Sequence, residues 1–361
     1  MVPFLTVLWL FSLLILMGYH LFVFRSRNEH PKVHQWSALP GVSIVIAVKN
    51  GSDHLTRNLG AFLSQDYPTF EIIIVDDHSD QEEKDKLEKV ISNHPRVTLY
   101  HSDQSSGKKY ALSQGIQKAN YDLILCTDAD CIPAGRGWIT SMVSQSQGQA
   151  LVIGYSPYKR AGGLLNLIVR FETVMTGIQY LSWAMKGRPY MGVGRNMMYS
   201  RSLFLEANPY QGHEGIPYGD DDLWVQQASS LTSVNVNFEK AAHVYSDPPV
   251  SWRQWINQKH RHLSAGHHYS LASLLQPGIY GMALILHWLL LPLFLPIAFD
   301  SLMFTALIIG LAVRWDTYRR WTRQLGDADT AWWYPLLDIG YAFYLAGMGI
   351  FTAVAKKRTW N

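Results

Sequence analysis

Cysteine is almost absent from the chain: two residues in 361, Cys126 and Cys131. Two cysteines build neither a disulfide framework nor a Cys/His metal-ligand set, and fit a reducing compartment or simply small buried residues. Charge is scarce too. Asp, Glu, Lys and Arg make up 16% of the sequence, against roughly 25% in a soluble domain. The formal net charge of +3 carries no argument for nucleic acid. No internal repeat, low-complexity segment or collagen-like period is visible, and no heptad pattern marks a coiled coil. What is present is apolar: 48% hydrophobic and 13% aromatic residues, with a mean hydropathy of −0.03. That content excludes disorder and points to a globular domain joined to membrane segments.

The stretch Pro3 to Phe24 contains no Asp, Glu, Lys or Arg and reaches the roughly 20 residues needed to cross a bilayer. A signal peptide would begin with basic residues and end at a small-residue cleavage site. Here Arg25, Arg27 and Lys32 follow the apolar stretch instead, predicting an uncleaved anchor with its C-terminal side in the cytoplasm. Further apolar stretches run over 279–299, 301–313 and 335–355, giving two or three C-terminal crossings. With three, the basic tail Lys356, Lys357 and Arg358 ends outside, against the positive-inside tendency; with one stretch re-entrant or interfacial, it returns inside. The expected division is an anchor over 1–25, a central domain over 40–270 and a C-terminal membrane region over 277–355.

The central domain reads as α/β. Val42 to Val48 is a β-branched run of strand length, bounded by Gly41 and by Asn50-Gly51. Strands are also expected at 70–75, 97–101 and 122–126, with helices at about 53–65, 81–93 and 107–119. Such alternation implies right-handed crossovers and a mainly parallel sheet covered on both faces. Ligands then bind beyond the carboxyl ends of the strands, and that is where Asp76-Asp77 and Asp128-Ala129-Asp130 fall.

Asp128 and Asp130, one residue apart at a strand end, suit oxygen ligation of a hard cation, Mg²⁺ or Mn²⁺. Alone, such a pair is commonly a solvated turn. With Asp76-Asp77 at a neighbouring strand end, the crowded like charges call for a cation or ligand donors. Gly107-Lys108-Lys109 opens a helix whose amides and ammonium groups suit phosphate oxygens, without the spacing of a Walker loop. Asp220, Asp221 and Asp222 precede Leu223-Trp224 at another helix start. They are either helix caps or a source of the general base that takes a proton from an incoming hydroxyl. Gln258 and Arg261 share one face of a basic, aromatic helix-like stretch beginning near Ser251. An interfacial amphipathic helix is the plainer account of that stretch. The nearby His260, His262, His267 and His268 lack the Cys or carboxylate partners of a zinc site.

As an ordered set, these residues resemble the membrane-anchored branch of the family-2 inverting glycosyltransferases of GT-A fold. That branch includes the cellulose, chitin and hyaluronan synthases and the ceramide glucosyltransferases. The likeness runs over about residues 40 to 265. It is carried by 42–50, Asp77-His78-Ser79, Gly107-Lys108 with Ala111-Leu112, Asp128-Ala129-Asp130, Gly194-Arg195-Asn196, the 219–223 run and Gln258-x-x-Arg261. The resemblance implies a Rossmann-like, mostly parallel sheet in a cytosolic domain flanked by transmembrane helices. It implies that Asp77 holds the base or ribose of a nucleotide, with Lys108 also at the nucleotide sugar, and that Asp130 with Asp128 forms the metal and diphosphate site. Asp220 is then the catalytic base, with Asp221 the next candidate, and Gln258 and Arg261 close over the donor diphosphate. Two positions depart from the pattern: His262 replaces the usual Trp, and Gly219 the usual acidic partner. Losing the indole weakens a processive reading, because an acceptor sugar has less to stack on.

The implied protein is an integral membrane hexosyltransferase with its catalytic domain facing the cytoplasm. It uses a divalent cation (Mg²⁺ or Mn²⁺) and a nucleotide diphosphate sugar, expected to be a UDP-sugar. Its acceptor is a lipid-linked species or a saccharide, its surroundings are membrane lipids, and nucleic acid has no part. A processive polysaccharide synthase is the first alternative. A non-catalytic assembly subunit with a retained fold is the second.

Overall fold

A computed structural model of the protein describes residues 2–25, 36–92, 94–102, 107–146, 151–208, 221–298 and 300–354. These fall into two units. One contains a sheet and is drawn from Glu29–Arg160 and Gly187–Pro248; the other is helical and is drawn from Met1–Asn28, Ala161–Lys186 and Pro249–Arg358.

In the sheet unit, β1 (Val42–Val48), β2 (Phe70–Asp76), β3 (Val97–His101) and β4 (Leu123–Asp128) are parallel, in the spatial order β3-β2-β1-β4. Their β-branched runs make central strands because both faces are covered: every residue of β1 except Ala47 is buried. Each fully buried Ile or Val side chain contributes about 1.5–3 kcal/mol. The crossovers are the helices Ser52–Leu63, Gln81–Ile91 and Lys108–Gln117. Register levels the strand ends. Val48 pairs with Asp76 on one side of β1, and Ala47 with Asp128 on the other. The fourth strand extends to Asp128, two residues past the expected end, because its ladder with β1 continues through Thr127 and Asp128.

Beyond β4 the sheet stops being parallel. A short two-stranded pair, β5 (Cys131–Pro133) and β9 (Val244–Ser246), is antiparallel and separate from the main sheet. β7 (Met197–Ser200) runs antiparallel to both β4 and β6 (Leu151–Gly154), and β8 (Val234–Asn237) lies parallel to β6. Asn196 ties this half together. Its Nδ2 donates to the carbonyls of Tyr155 (2.8 Å) and Ala242 (2.9 Å), and its Oδ1 accepts from Trp138 Nε1 (3.0 Å).

Among the described residues, the helical unit contains three helices long and apolar enough to cross a membrane, with candidate spans Phe4–Val23, Leu271–Leu293 and Ala328–Thr352. The expected stretch at 301–313 is the first half of a longer helix, Ser301–Leu325. Its second half carries Arg314, Asp316, Arg319, Arg320 and Arg323, and it is not among the candidate spans. Helix Leu164–Met185 also belongs to this unit, as does Trp252–Ser264. The division therefore differs from the expected continuous block over 40–270. Buried charges here are paired: Arg314 Nη1 meets Asp338 Oδ2 at 2.8 Å, both side chains fully buried. The basic residues Arg27, Lys32, Lys356, Lys357 and Arg358 lie outside the described residues.

Candidate active site

The site grows from the ends of β1, β2 and β4. The β1 and β2 turns clip each other: the Asn50 amide donates to Ser79 Oγ (2.8 Å), and Asn50 Oδ1 accepts from the Asp80 amide (3.0 Å). Asn50 and His78 both adopt left-handed backbone, at φ 48° and 56°, a strained conformation that structures keep mainly at functional turns. Asp76 is spent on this scaffold, accepting from the Ser79 amide (3.2 Å) and facing His101 Nδ1 (3.2 Å). Asp77 is not. It is fully buried, and its Oδ1 accepts from the Gly107 amide at 2.8 Å. Its Oδ2 is buried with no partner among the described residues. A buried carboxylate oxygen without a donor is costly unless a ligand supplies one.

Gly107 starts the helix that carries Lys108. Its φ of 134° is open to glycine and poorly open to other residues, and this backbone aims the amide at Asp77. Lys108 Nζ then reaches Asp128 Oδ1 at 2.9 Å. Asp128, Asp130 and Cys131 each place one ligand atom within 4.8 Å of the others. Burial raises the Asp128 carboxyl, but the Lys108 ammonium and the Arg195 guanidinium outweigh it, leaving the group below its ordinary range and ionised at neutral pH. Cys131 behaves oppositely. Burial, then the charges of Asp128 and Asp130, push its thiol well up. A protonated thiol donates, here toward Asp130 Oδ1 (3.4 Å) with Ser246 Oγ 3.2 Å away. The atoms fitted to a cation are therefore carboxylate oxygens, a donor set for Mg²⁺ or Mn²⁺.

Opposite these lies the 3₁₀ turn Gly194–Asn196, which packs beside the strand ending in Asp128. The Gly194 amide donates to Asp221 Oδ2 (3.0 Å), and Asp221 Oδ1 accepts from the Asp222 amide (2.9 Å). Asp221 thus caps helix Asp222–Ala228 and ties it to the turn. Asp220 lies outside the described residues.

The structure therefore gathers Asp77, Lys108, Asp128, Asp130 and Asp221 in the sheet unit. Gln258 and Arg261 sit in the helical unit on Trp252–Ser264, both partly buried, with Gln258 Oε1 lacking a partner among the described residues. That helix is held by Lys259, which pairs with Glu172, and by Trp255, stacked on Tyr344 at a centroid distance of 4.9 Å. It also borders a cavity of about 220 Å³ whose lining includes Phe171, Trp252, Trp255, Tyr341 and Tyr344. Sequence reasoning assigned no role to Arg195. The sole signal was its place in Gly194-Arg195-Asn196, since its partners Ser156 and Tyr158 are distant in the chain.

A mostly parallel sheet in the order β3-β2-β1-β4 with carboxylates at its strand ends fits the GT-A fold. Residues 43–206 match the family model described as glycosyl transferase family 2, and the chain carries a family-2 glycosyltransferase domain of this fold. A poly-beta-1,6-N-acetyl-D-glucosamine synthase of Staphylococcus aureus (strain MSSA476) is 33% identical over 107 residues, covering 30% of this chain and 26% of the relative. A synthase of the same name from Staphylococcus epidermidis is 31% identical over 106 residues, 29% of this chain and 24% of the relative. The matched segment thus spans about a quarter of these relatives. Among solved structures, a mannosyltransferase from Pyrobaculum calidifontis in complex with GDP-Man and Mn²⁺ superposes with a TM-score of 0.58. That match covers 93% of this chain and 99% of the other at 16% identity, a likeness of fold.

Proposed function

We propose that the protein is a membrane-bound, inverting glycosyltransferase that moves a sugar from a nucleoside diphosphate donor to a lipid-linked acceptor. The observation that carries this reading is the cluster at the strand ends: Asp128 and Asp130 converge while the neighbouring Asp77 keeps one buried oxygen unpartnered. The Pyrobaculum mannosyltransferase, which shares the fold, binds GDP-Man together with Mn²⁺, and this supports the same donor class. The lipid acceptor is favoured over a free saccharide by the aromatic cavity beside helix Trp252–Ser264, within the unit that contains the candidate membrane spans. Arg25 directly after the first span favours a cytoplasmic catalytic domain.

In this mechanism Asp77 receives the base or ribose of the donor, its free Oδ2 accepting a ligand N–H or O–H. Asp128 and Asp130 hold the divalent cation, which when bound neutralises charge on the diphosphate as a Lewis acid. Asp220 accepts the proton of the acceptor hydroxyl as that oxygen attacks the anomeric carbon from the face opposite the diphosphate. The bond from the anomeric carbon to the diphosphate oxygen breaks, and the electron pair leaves with the nucleoside diphosphate. Lys108 binds the departing group.

The test is release of nucleoside diphosphate by the detergent-purified protein with Mn²⁺, across UDP- and GDP-sugars. Release from one donor is expected, falling roughly 10²–10⁴-fold in Asp220→Asn and lost on chelation and in Asp130→Ala. Full turnover in Asp220→Asn would remove Asp220 as the base. Product extracted into organic solvent supports the lipid acceptor, whereas water-soluble polymer supports a processive synthase.

A further inference from the structure

Arg195 is held from two directions. Its Nε donates to Ser156 Oγ (2.7 Å) and its Nη2 to the Ser156 carbonyl (3.0 Å), while its guanidinium carbon lies 5.3 Å from the centroid of the Tyr158 ring. The holders are themselves fixed. Ser156 Oγ donates to the Val244 carbonyl, and Tyr158 bridges Ser246. Ser246 in turn pairs with Cys131, the residue after Asp130. The scaffold gripping Arg195 is thus continuous with the strand that leaves the carboxylate pair. The third nitrogen, Nη1, has no hydrogen-bond partner among the described residues, and no described carboxylate lies within ion-pair distance of the group.

The two cations near the pair therefore differ in kind. Lys108 is bonded to Asp128 Oδ1, so a metal ion taken up by that oxygen competes with it directly. Arg195 is bonded to neutral oxygens and keeps its charge available whether or not the carboxylates hold a metal. A positive group locked in place by Ser156 and Tyr158, with one N–H edge open, is arranged for an anion that arrives from solution.

We propose that Arg195 is a donor-binding residue: a fixed guanidinium that binds the diphosphate of the nucleotide sugar through its open edge, independently of the metal. This rests on the glycosyltransferase reading above. It predicts that part of the diphosphate affinity survives chelation and belongs to Arg195.

Calorimetric titration of the full-length protein in detergent tests this, with UDP, GDP, uridine and guanosine as probes, in Mn²⁺ and again in EDTA. The wild type is expected to bind one of the two diphosphates, and to hold it more tightly than the matching nucleoside even in EDTA. Arg195→Gln is expected to lose roughly 10- to 100-fold in diphosphate affinity under both conditions, with nucleoside affinity unchanged. Arg195→Lys should recover part of the loss, since charge remains while the fork geometry does not. Ser156→Ala, which loosens the holder and keeps the charge, should give a smaller loss of the same selective kind. Equal losses of diphosphate and nucleoside in Arg195→Gln would make the residue structural and overturn the proposal, as would wild-type affinity in that variant. A wild type that binds neither UDP nor GDP would remove the donor reading itself, and this inference with it.

Discussion

The helical unit and the sheet unit treat charge in opposite ways. In the helical unit the buried charges are matched within the protein. Asp338 accepts from Trp288 Nε1 (2.9 Å) and Tyr334 Oη (2.9 Å) while paired to Arg314. Arg170 Nε donates to Asp327 (2.7 Å), and its Nη1 and Nη2 grip both oxygens of Asp329 (3.0 and 2.6 Å). In the sheet unit, bonding capacity at the strand ends is left open: Asp77 Oδ2 and Arg195 Nη1 have no partner among the described residues. A charge whose capacity is filled by its own chain holds shape, and one left partly open is placed for a ligand. Amount of charge does not separate the two roles; in these examples an opposite charge of the same chain within ion-pair distance does.

The sharpest way to break this contrast is to unpair the helical charge. Asp338→Leu leaves Arg314 buried without its carboxylate and is expected to cost about 3–5 kcal/mol, read as a lowered unfolding midpoint in detergent. The double change Arg314→Met with Asp338→Leu should recover part of that loss, because the buried cation is gone while Trp288 Nε1 and Tyr334 Oη still lack their acceptor. A single variant as stable as the wild type would show that the pair is not structural. Asp130→Ala supplies the contrast: its midpoint should stay close to the wild type while metal-dependent nucleotide binding disappears.

A smaller effect separates buried groups of the sheet unit that are neutral from those that are charged. His243 is fully buried and its Nε2 lies 3.0 Å from the Phe238 carbonyl. Burial, despite that hydrogen bond, lowers its pKa from 6.5 to about 4. Between those values the unfolded chain binds the proton and the folded chain does not, so stability falls as pH drops through that window. The contribution is intact above pH about 6.5, and its loss approaches about 3 kcal/mol near pH 4. Comparing unfolding midpoints from pH 7 to 4 in the wild type and His243→Gln isolates it. The variant should show the shallower dependence, and equal slopes would assign the acid sensitivity to other groups.

The parallel half of the sheet was legible because its signals are local. Long β-branched runs between turn residues mark β1 and β2, which the structure places at 42–48 and 70–76. The antiparallel half was not. β6, β7 and β8 are four residues each, too short for a period, and they are fixed by contacts such as those of Asn196 that join distant parts of the chain. Helix Leu164–Met185 carries no mark of its unit, since Arg170 reads as a surface cation until Asp327 and Asp329 are seen beside it. At the site, the carboxylates stood out by their spacing at strand ends. Arg195 did not, because its role depends on Ser156 and Tyr158.

The smallest effect concerns Gly107, where the fold serves the site directly. Its φ of 134° lies where a Cβ is strained, although the nearest atom such a Cβ would meet, Tyr110 Cδ2, is 3.8 Å away. Space therefore permits alanine and backbone preference opposes it. Gly107→Ala should cost about 1–2 kcal/mol if the turn keeps its shape. If the turn relaxes instead, the stability cost shrinks, but the amide leaves Asp77 Oδ1 and the carboxylate loses its backbone donor, together with the aim of Lys108 at Asp128. The two outcomes trade against each other. A stability loss with nucleoside binding intact means the geometry is enforced by the surrounding sheet. A stable variant with weakened nucleoside binding means that glycine itself keeps Asp77 in position.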